Sequence, residues 1–90
     1  MLHRLKIKED YANSICCGDK TFEVRYNDRN YQKGDFIEFI AVARDGIRMI
    51  HNIEEMMFEI TNVHSGLGMA DGYVVLAIKR IAGGEQDGQP

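Results

Sequence analysis

Strict alternation of apolar and polar residues predicts two strands in the first third of the chain. Over Leu2–Lys8 one parity is apolar apart from His3, and the other parity is basic. Residues 21–27 repeat the pattern, and their apolar parity consists of Phe22, Val24 and Tyr26. Period two is typical of a strand with one buried face. We therefore expect Tyr26 and its parity to pack in the core.

Between these strands, residues 9–17 predict a helix. Tyr11 and Ile15 lie four residues apart, as the apolar stripe of a helix requires, and Gly18 is a left-handed stop. Carboxylates at the first two positions of this segment complement the helix dipole.

The later elements follow from apolar runs and turn signals. Residues 36–43 predict a strand that is buried on both faces, and Asp45-Gly46 predicts a hairpin whose return strand starts in residues 47–50. Residues 51–55 are interpreted as an irregular extension of this hairpin. A strand is predicted from residue 56 to about residue 63, then a loop over residues 65–72 with one helical turn, and a last strand over residues 73–81.

This order predicts a mainly β (α+β) fold. We expect a small antiparallel or mixed β-barrel of roughly five to six strands, with one short helix across an opening. The barrel domain is predicted over residues 1–81, and the polar tail at residues 82–90 is predicted to be disordered.

Composition and charge narrow the class of protein. Of the 90 residues, 44% are hydrophobic and 28% are charged, a globular balance that argues against intrinsic disorder. No apolar run is long enough for a membrane span, and no apolar block follows the basic N-terminus. We therefore expect a cytoplasmic monomer with no membrane partner. A net charge of −3 argues against a general nucleic-acid coat and favours local, selective binding.

The cysteines and histidines predict neither a disulfide nor a metal. Cys16 and Cys17 are adjacent, so a bridge between them is strained, and we expect a reduced pair with Cys16 packed as a small apolar side chain. The histidines His3, His51 and His64 fit no zinc spacing with this pair. No metal and no cofactor are expected.

The candidate site lies between Gly18 and Asp35. Same-face residues two apart on a strand are about 6.5–7 Å apart, so Glu23 and Arg25 reach a common point, one as acceptor and one as planar cation. Lys20 has the opposite parity, so it joins them only if the chain bends at residues 19–21.

The following segment adds recognition chemistry. Asn27, Asp28 and Arg29 are hydrogen-bonding residues of a turn type. The guanidinium groups of Arg25 and Arg29 suit a phosphate or a base edge. Tyr31, in the loop, is predicted to stack on an exposed base, as single-stranded RNA recognition requires. His64 and Ser65 are candidates for the other side of the cleft.

Several motifs resemble those of a known family. HxLKI at the start, GxKTFEVR followed by NDRxYxxGD, and a late GYVVLxIK resemble ASCH-related families of the PUA-like superfamily, in particular a small uncharacterised bacterial and phage-borne family. The resemblance covers residues 2–81 and implies a PUA-like barrel with a cleft beside the helix and a role in RNA binding or RNA-related metabolism. Two sets of residues match: Lys20, Glu23 and Arg25 of the ASCH cleft pattern, and His3, Asn27, Asp28 and Arg29 of the smaller family.

Two alternatives to an RNA- or nucleotide-binding module stay open. Some ASCH relatives are amidohydrolases that act on N4-acylated cytidine through a lysine, a threonine and a glutamate. As an enzyme, the chain is implied to use Lys20 and Glu23, although the threonine of those relatives lies three residues after the lysine, where this chain has Glu23. The other alternative is a protein-interaction module, whose hairpin over residues 47–57 carries an adaptable apolar patch of Met49, Met56 and Met57.

Overall fold

One curled sheet with a short helix forms the protein. The computed structural model describes residues 1–83. Its strands are β1 (Leu2–Lys8), β2 (Phe22–Tyr26), β3 (Phe36–Val42), β4 (Met57–His64) and β5 (Tyr73–Ala82), its α-helix is α1 (Glu9–Cys16), and a 3₁₀ turn spans Asn52–Glu55. The predicted mainly β fold with one short helix is confirmed.

The strand order leaves β1 and β2 as the two edges of a half-barrel. The five-stranded sheet runs β1-β3-β4-β5-β2. β1 pairs with β3 in parallel, and the other neighbours pair antiparallel. The opening between the two edges is called the seam below, and it positions the candidate site.

The first strand and the helix form where the sequence predicts them. In β1 the residues His3, Leu5 and Ile7 are buried and the basic parity is exposed. The helix ends one residue earlier than predicted, and Gly18 follows it at φ 87°. Ala12 and Ile15 cover the sheet, whereas the Tyr11 ring stays half outside.

The core lies on the inner face of the curled sheet. It is supplied by alternate residues of β1, β3, β4 and β5, by α1 and by the 3₁₀ turn. The largest side chains that are fully buried are Phe39, Leu5, Ile37, Ile53, Ile60 and Leu76. Burying each of these aliphatic or aromatic side chains stabilises the fold by about 1.5–3 kcal/mol.

The prediction that the third strand is buried on both faces is wrong for its outer face. Ile37, Phe39 and Ala41 are buried, but Ile40 and Val42 are only half-buried. The reason is that a half-barrel has one packed side, so the outer face of β3 has no second layer above it.

The hairpin after β3 is shorter than predicted. The turn at Asp45-Gly46 is present, with Gly46 at φ 84° and the Ala43 N–H donating to the Ile47 carbonyl at 2.9 Å. The predicted return strand is reduced to one bridge between Val42 and Arg48.

Asn52–Glu55 forms a 3₁₀ turn, so the prediction of an irregular extension over residues 51–55 is wrong. His51 precedes this turn, and its Nδ1 accepts from the Ile53 N–H at 3.0 Å. This cap satisfies the Ile53 N–H at the start of the turn, and the Ile53 side chain is fully buried in the core. Burial of this one apolar side chain favours the compact turn over an extended chain.

The loop before β5 contains turns and not the predicted helical turn. Gly66 and Gly68 have φ values of 89° and 81°, a left-handed conformation that a right-handed helix excludes. β5 then extends to Ala82, so the predicted tail begins later, and residues 84–90 of that tail lie outside the described residues. Among residues 1–83, no helix has the length and apolarity that crossing a bilayer requires.

The cysteine pair is unbridged, as predicted. Cys16 and Cys17 are both free thiols. Cys16 packs against the core beside Met56, with 4.0 Å between the two sulfur atoms, and burial raises the pKa of its thiol. Cys16 therefore behaves as a small apolar side chain.

Candidate functional site

The two faces of β2 are the reverse of the prediction. Glu23 is only 4% exposed, whereas Phe22, Val24 and Tyr26 are 42%, 47% and 57% exposed. The inner face of β2 meets the free edge of β1, whose carbonyl groups need hydrogen-bond donors. A polar face satisfies them and an apolar face does not.

Glu23 is buried as the centre of a charge cluster. Its Oε1 accepts from Lys20 Nζ at 2.6 Å. Its Oε2 accepts from Arg25 Nε at 3.0 Å and lies 2.8 Å from Nη2 of the same guanidinium, which makes an ion pair. Each carboxylate oxygen thus has a cationic donor, which is the condition under which a carboxylate is stable away from water.

Lys20 joins the cluster because the chain bends where the prediction requires it. The Lys20 N–H donates to the Ser14 carbonyl at 3.0 Å, and β2 begins only at Phe22. The ammonium group also donates to the Phe22 carbonyl at 2.8 Å and lies 4.9 Å from the ring centres of Tyr11 and Phe22. All of these partners favour a positive charge.

The two arginines of the motif bridge the seam. Arg25 Nη2 donates to the Lys6 carbonyl, and Arg29 Nη1 donates to the Arg4 carbonyl at 3.2 Å. These carbonyl groups belong to the free edge of β1. Side chains of the β2 side therefore provide the donors that a neighbouring strand supplies elsewhere in the sheet.

Tyr31 is buried, so the prediction that its ring stacks on an exposed base is wrong. The side chain is 3% exposed and packs edge-on against the His3 ring, with 4.8 Å between ring centres. The loop turns inward because its backbone is held: the Tyr31 N–H donates to Asn27 Oδ1 at 2.9 Å. Asp28 stays exposed beside it.

The hydroxyl group of Tyr31 is influenced by charged residues of the β2 segment. Burial raises its pKa, the charges of Arg25 and Arg29 act in the opposite direction, and those of Asp28 and Glu23 raise it further. Two of these four charged residues, Arg25 and Glu23, are members of the charge cluster described above.

His3 and Asp35 form a buried pair behind Tyr31. His3 Nε2 lies 2.9 Å from Asp35 Oδ2. The same oxygen accepts from the Gln32 N–H at 3.0 Å, and Asp35 Oδ1 accepts from the Met1 amino group at 3.3 Å. The hydrogen bond from His3 is the main cause that lowers the pKa of Asp35. His3 therefore supports Tyr31 and does not line the seam.

Sequence reasoning missed the role of Asp35. In the sequence, Asp35 marks only the end of the candidate segment, yet its carboxylate ties the loop to the start of β1. The signal was the combination of a histidine on the buried parity of β1 with an acidic residue that opens the neighbouring strand.

The remaining predicted residues lie elsewhere. His64 is exposed at the end of β4, where its Nε2 lies 3.1 Å from the Leu67 carbonyl, so the structure does not bring it to the seam. Ser65 and Asn27 line a hollow of about 380 Å³ beside the loop that precedes β5.

The methionine patch predicted on the hairpin is only partly exposed. Met56 is buried in the core, and Met49 and Met57 are half-buried. The exposed apolar side chains of that region are instead Ile47 and Ile50, the latter 98% exposed.

An exposed aromatic face flanks the seam on one side. Phe22, Tyr26 and Tyr73 project outward from β2 and β5, and the rings of Tyr26 and Tyr73 meet edge-on at 5.4 Å. Sequence reasoning assigned this parity to the core. On the other side of the seam, the exposed residues of β1 include Lys6 and Lys8.

Comparisons with known proteins identify a family and a fold. A family model described as Domain of unknown function (DUF3850) matches residues 2–78. The crystal structure of the hypothetical protein PH0355 is similar with a TM-score of 0.58 and 18% sequence identity, over 90% of this chain and 100% of that chain. No curated protein matches the sequence. The structural similarity supports the fold alone.

Proposed function

The chain therefore belongs to the DUF3850 family, and from this premise we propose that it binds single-stranded RNA, or a nucleotide-like ligand, across the seam. Bases stack on the outward aromatic face of β2 and β5, and phosphate groups meet the cations of β1 and of the seam. We propose that the protein does this as a cytoplasmic monomer.

The observation that carries the proposal is the outward aromatic face beside cationic groups. Every base has a π-face, and stacking on an aromatic side chain contributes about 1–3 kcal/mol per base. Phe22 and Tyr26 are separated by four residues of an extended strand, about 13 Å, so they offer separate stacking positions. Recognition of unpaired bases combines such rings with a positively charged track.

The local charge supports binding although the whole chain is acidic. The negative charge of Glu23 is compensated by Lys20 and Arg25. Lys6 and Lys8 are exposed on β1, and Arg29 adds a further cation at the seam. Few phosphate contacts are available, so we expect binding with a shallow dependence on salt concentration.

A fluorescence anisotropy titration tests the proposal. A labelled single-stranded RNA of about eight nucleotides, a length within common site sizes, is titrated with the wild-type chain and with Phe22→Ala and Tyr26→Ala. Each variant is expected to weaken binding about fivefold to a hundredfold, since a stacking contact is lost. Ile50→Ala is the matched control, because it truncates an exposed apolar side chain on the hairpin. The proposal fails if RNA gives no anisotropy change, or if the control weakens binding equally.

The relationship to ASCH-related families of the PUA-like superfamily is part of this proposal. Its support is the resemblance of the GxKTFEVR motif together with the convergence of Lys20, Glu23 and Arg25 in a β half-barrel. A role in RNA-related chemistry in those families agrees with the surface described above.

Hydrolysis of N4-acylated cytidine is the second candidate function. The observation that favours it is the 2.6 Å contact between Lys20 Nζ and Glu23 Oε1, which pairs two of the three group types that such enzymes use. The test is incubation of the wild-type chain and Lys20→Ala with N4-acetylcytidine, with released acetate measured. Turnover that disappears in the variant supports the enzyme, and absence of turnover in the wild-type chain rejects it.

A further inference from the structure

The buried hydroxyl group of Tyr31 needs a hydrogen-bond partner. Tyr31 is 3% exposed, its backbone N–H is bonded to Asn27 and its ring packs on His3. Within residues 1–83 its hydroxyl group makes no hydrogen bond. Buried polar groups are hydrogen-bonded in the great majority of cases, so this hydroxyl is suited to a partner from outside the chain.

Two guanidinium groups bind neighbouring positions on the free edge of β1. Arg25 and Arg29 donate to the carbonyl groups of Lys6 and Arg4, which are two residues apart on one strand edge and thus about 6.5–7 Å apart. Each guanidinium group has five N–H donors. Arg29 uses only one of them within residues 1–83, and it lies at the solvent side of the seam.

The charge of this corner favours an anion. Lys20, Arg25 and Arg29 carry three positive charges against the negative charges of Glu23 and Asp28, which leaves an excess of one cation. Since burial raises the pKa of the Tyr31 hydroxyl, the group keeps its proton at neutral pH and serves as a donor.

We propose that Arg25, Arg29 and the Tyr31 hydroxyl form a phosphate-binding corner at the loop end of the seam. Arg25 belongs to β2, and Arg29 and Tyr31 belong to the segment that follows it, so three donors are available to the oxygens of one phosphate. The phosphate belongs either to the backbone of an RNA strand or to a terminal monophosphate. The inference deepens the proposed function and rests on it for the nature of the ligand.

An NMR titration of the wild-type chain tests the corner without any variant. The probes are inorganic phosphate, cytidine monophosphate and cytidine, and the readout is the side-chain Nε–Hε signals of the arginines. Phosphate and the nucleotide are expected to shift the signals of Arg25 and Arg29, and cytidine is expected to leave them unchanged. Unchanged arginine signals at saturating nucleotide overturn the inference.

A matched pair of variants tests the hydroxyl group itself. Tyr31→Phe keeps the packing on His3 and is expected to weaken binding of cytidine monophosphate about tenfold, as loss of a hydrogen bond to a charged group does. Tyr11→Phe removes a hydroxyl from an exposed tyrosine and is expected to bind like the wild-type chain. Equal affinities of the two variants contradict a role for Tyr31.

Two RNA oligonucleotides, one with and one without a 5′-phosphate, distinguish binding of a terminal phosphate from binding of a backbone phosphate. Preference for the phosphorylated strand, lost in Tyr31→Phe, indicates a terminal phosphate. Equal binding of both strands, weakened in the same variant, indicates the backbone. If cytidine monophosphate binds at the corner and neither RNA oligonucleotide binds, the phosphate-binding corner is supported and the proposal of RNA binding is rejected. If RNA binds and Tyr31→Phe has no effect, RNA binding stands and the corner fails.

Discussion

The two edge strands of the half-barrel have the same alternating pattern, but their apolar residues face opposite sides of the sheet. In β1 the apolar parity with Leu5 and Ile7 is buried and the charged parity faces solvent. In β2 the charged residue Glu23 is buried, and the apolar residues Val24 and Tyr26 face solvent. Period two therefore identifies a strand in both cases but identifies the buried face in only one.

The difference follows from what lies opposite each inner face. The inner face of β1 packs on α1 and on the apolar core, so burial of carbon favours it. The inner face of β2 lies over the seam, where carbonyl groups of Lys6 and Arg4 require donors. A buried carboxylate is acceptable there because Lys20 and Arg25 occupy both of its oxygens.

Truncation of one apolar residue in each edge strand is expected to give the largest difference in the free energy of unfolding. Leu5→Ala removes a side chain that is 1% exposed and is expected to lower the free energy of unfolding by about 3–4 kcal/mol, because it leaves a cavity. Val24→Ala, on an open face, is expected to change it by less than about 0.5 kcal/mol. Urea denaturation measures both, and equal losses in the two variants refute the reversed orientation of β2.

Neutralisation of a glutamate tests the polar inner face. Glu23→Gln keeps the shape of the side chain but leaves Lys20 and Arg25 without their counter-charge. Their side chains are 16% and 22% exposed, so we expect a loss of about 2–3 kcal/mol, below the roughly 3–5 kcal/mol of fully buried pairs.

Glu38→Gln is the control for this neutralisation. Glu38 pairs with Arg4 at 3.1 Å on the outer face, where an ion pair contributes about 0–1 kcal/mol. Chemical denaturation compares the two variants. A loss in Glu23→Gln no larger than that in the control shows that the cluster is solvated.

How far the sequence predicts this molecule depends on whether the deciding contacts are local. The alternation over Leu2–Lys8, the helix stop at Gly18 and the turn at Asp45-Gly46 depend on near neighbours, and the structure has all three. The convergence of Lys20 with Glu23 also follows from a local bend. Which face of β2 is buried is decided by the carbonyl groups of β1. The residues of β2 alone contain no information about that neighbouring edge.

Tyr26 and Tyr31 show the same limit at single residues. Parity assigns Tyr26 to the core and loop position assigns Tyr31 to the surface, and both predictions are wrong. Tyr31 is buried because His3, twenty-eight residues away in the chain, packs on its ring, and Asn27, four residues away, binds its backbone. The contact with His3 is long-range, and the topology specifies it.

The start of β1 carries a pH dependence through Asp35. The pKa of Asp35 is lowered from its usual 3.8, mainly by the hydrogen bond from His3. A depressed carboxyl pKa contributes stability above the unfolded value, and this stability is lost as the pH falls through the folded value. Asp35→Asn is therefore expected to be about 1–2 kcal/mol less stable at pH 7.

The stability of Asp35→Asn is also expected to fall less steeply than that of the wild-type chain as the pH is lowered. Below about pH 4 the wild-type chain loses the contribution of Asp35, whereas the asparagine variant has no such contribution to lose. Denaturation curves at several pH values between about 2 and 7 measure the two slopes. Parallel curves for the wild-type chain and the variant contradict the role of the His3–Asp35 pair.

The smallest expected effect concerns the tyrosine that lies between the two strands. Burial raises the pKa of Tyr31 above its usual 10.0, so the folded chain holds this proton while the unfolded chain releases it. Stability is consequently retained below about pH 10 and lost as the pH rises above it, by about 1.4 kcal/mol for each pH unit between the two pKa values. Tyr31→Phe is expected to be less sensitive in that range. Spectrophotometric titration of the wild-type chain and the variant measures the ionisation directly. If the difference between the two titrates at or below the usual pKa, the hydroxyl lies in water. In that case it has no unmet hydrogen bond that a phosphate would satisfy.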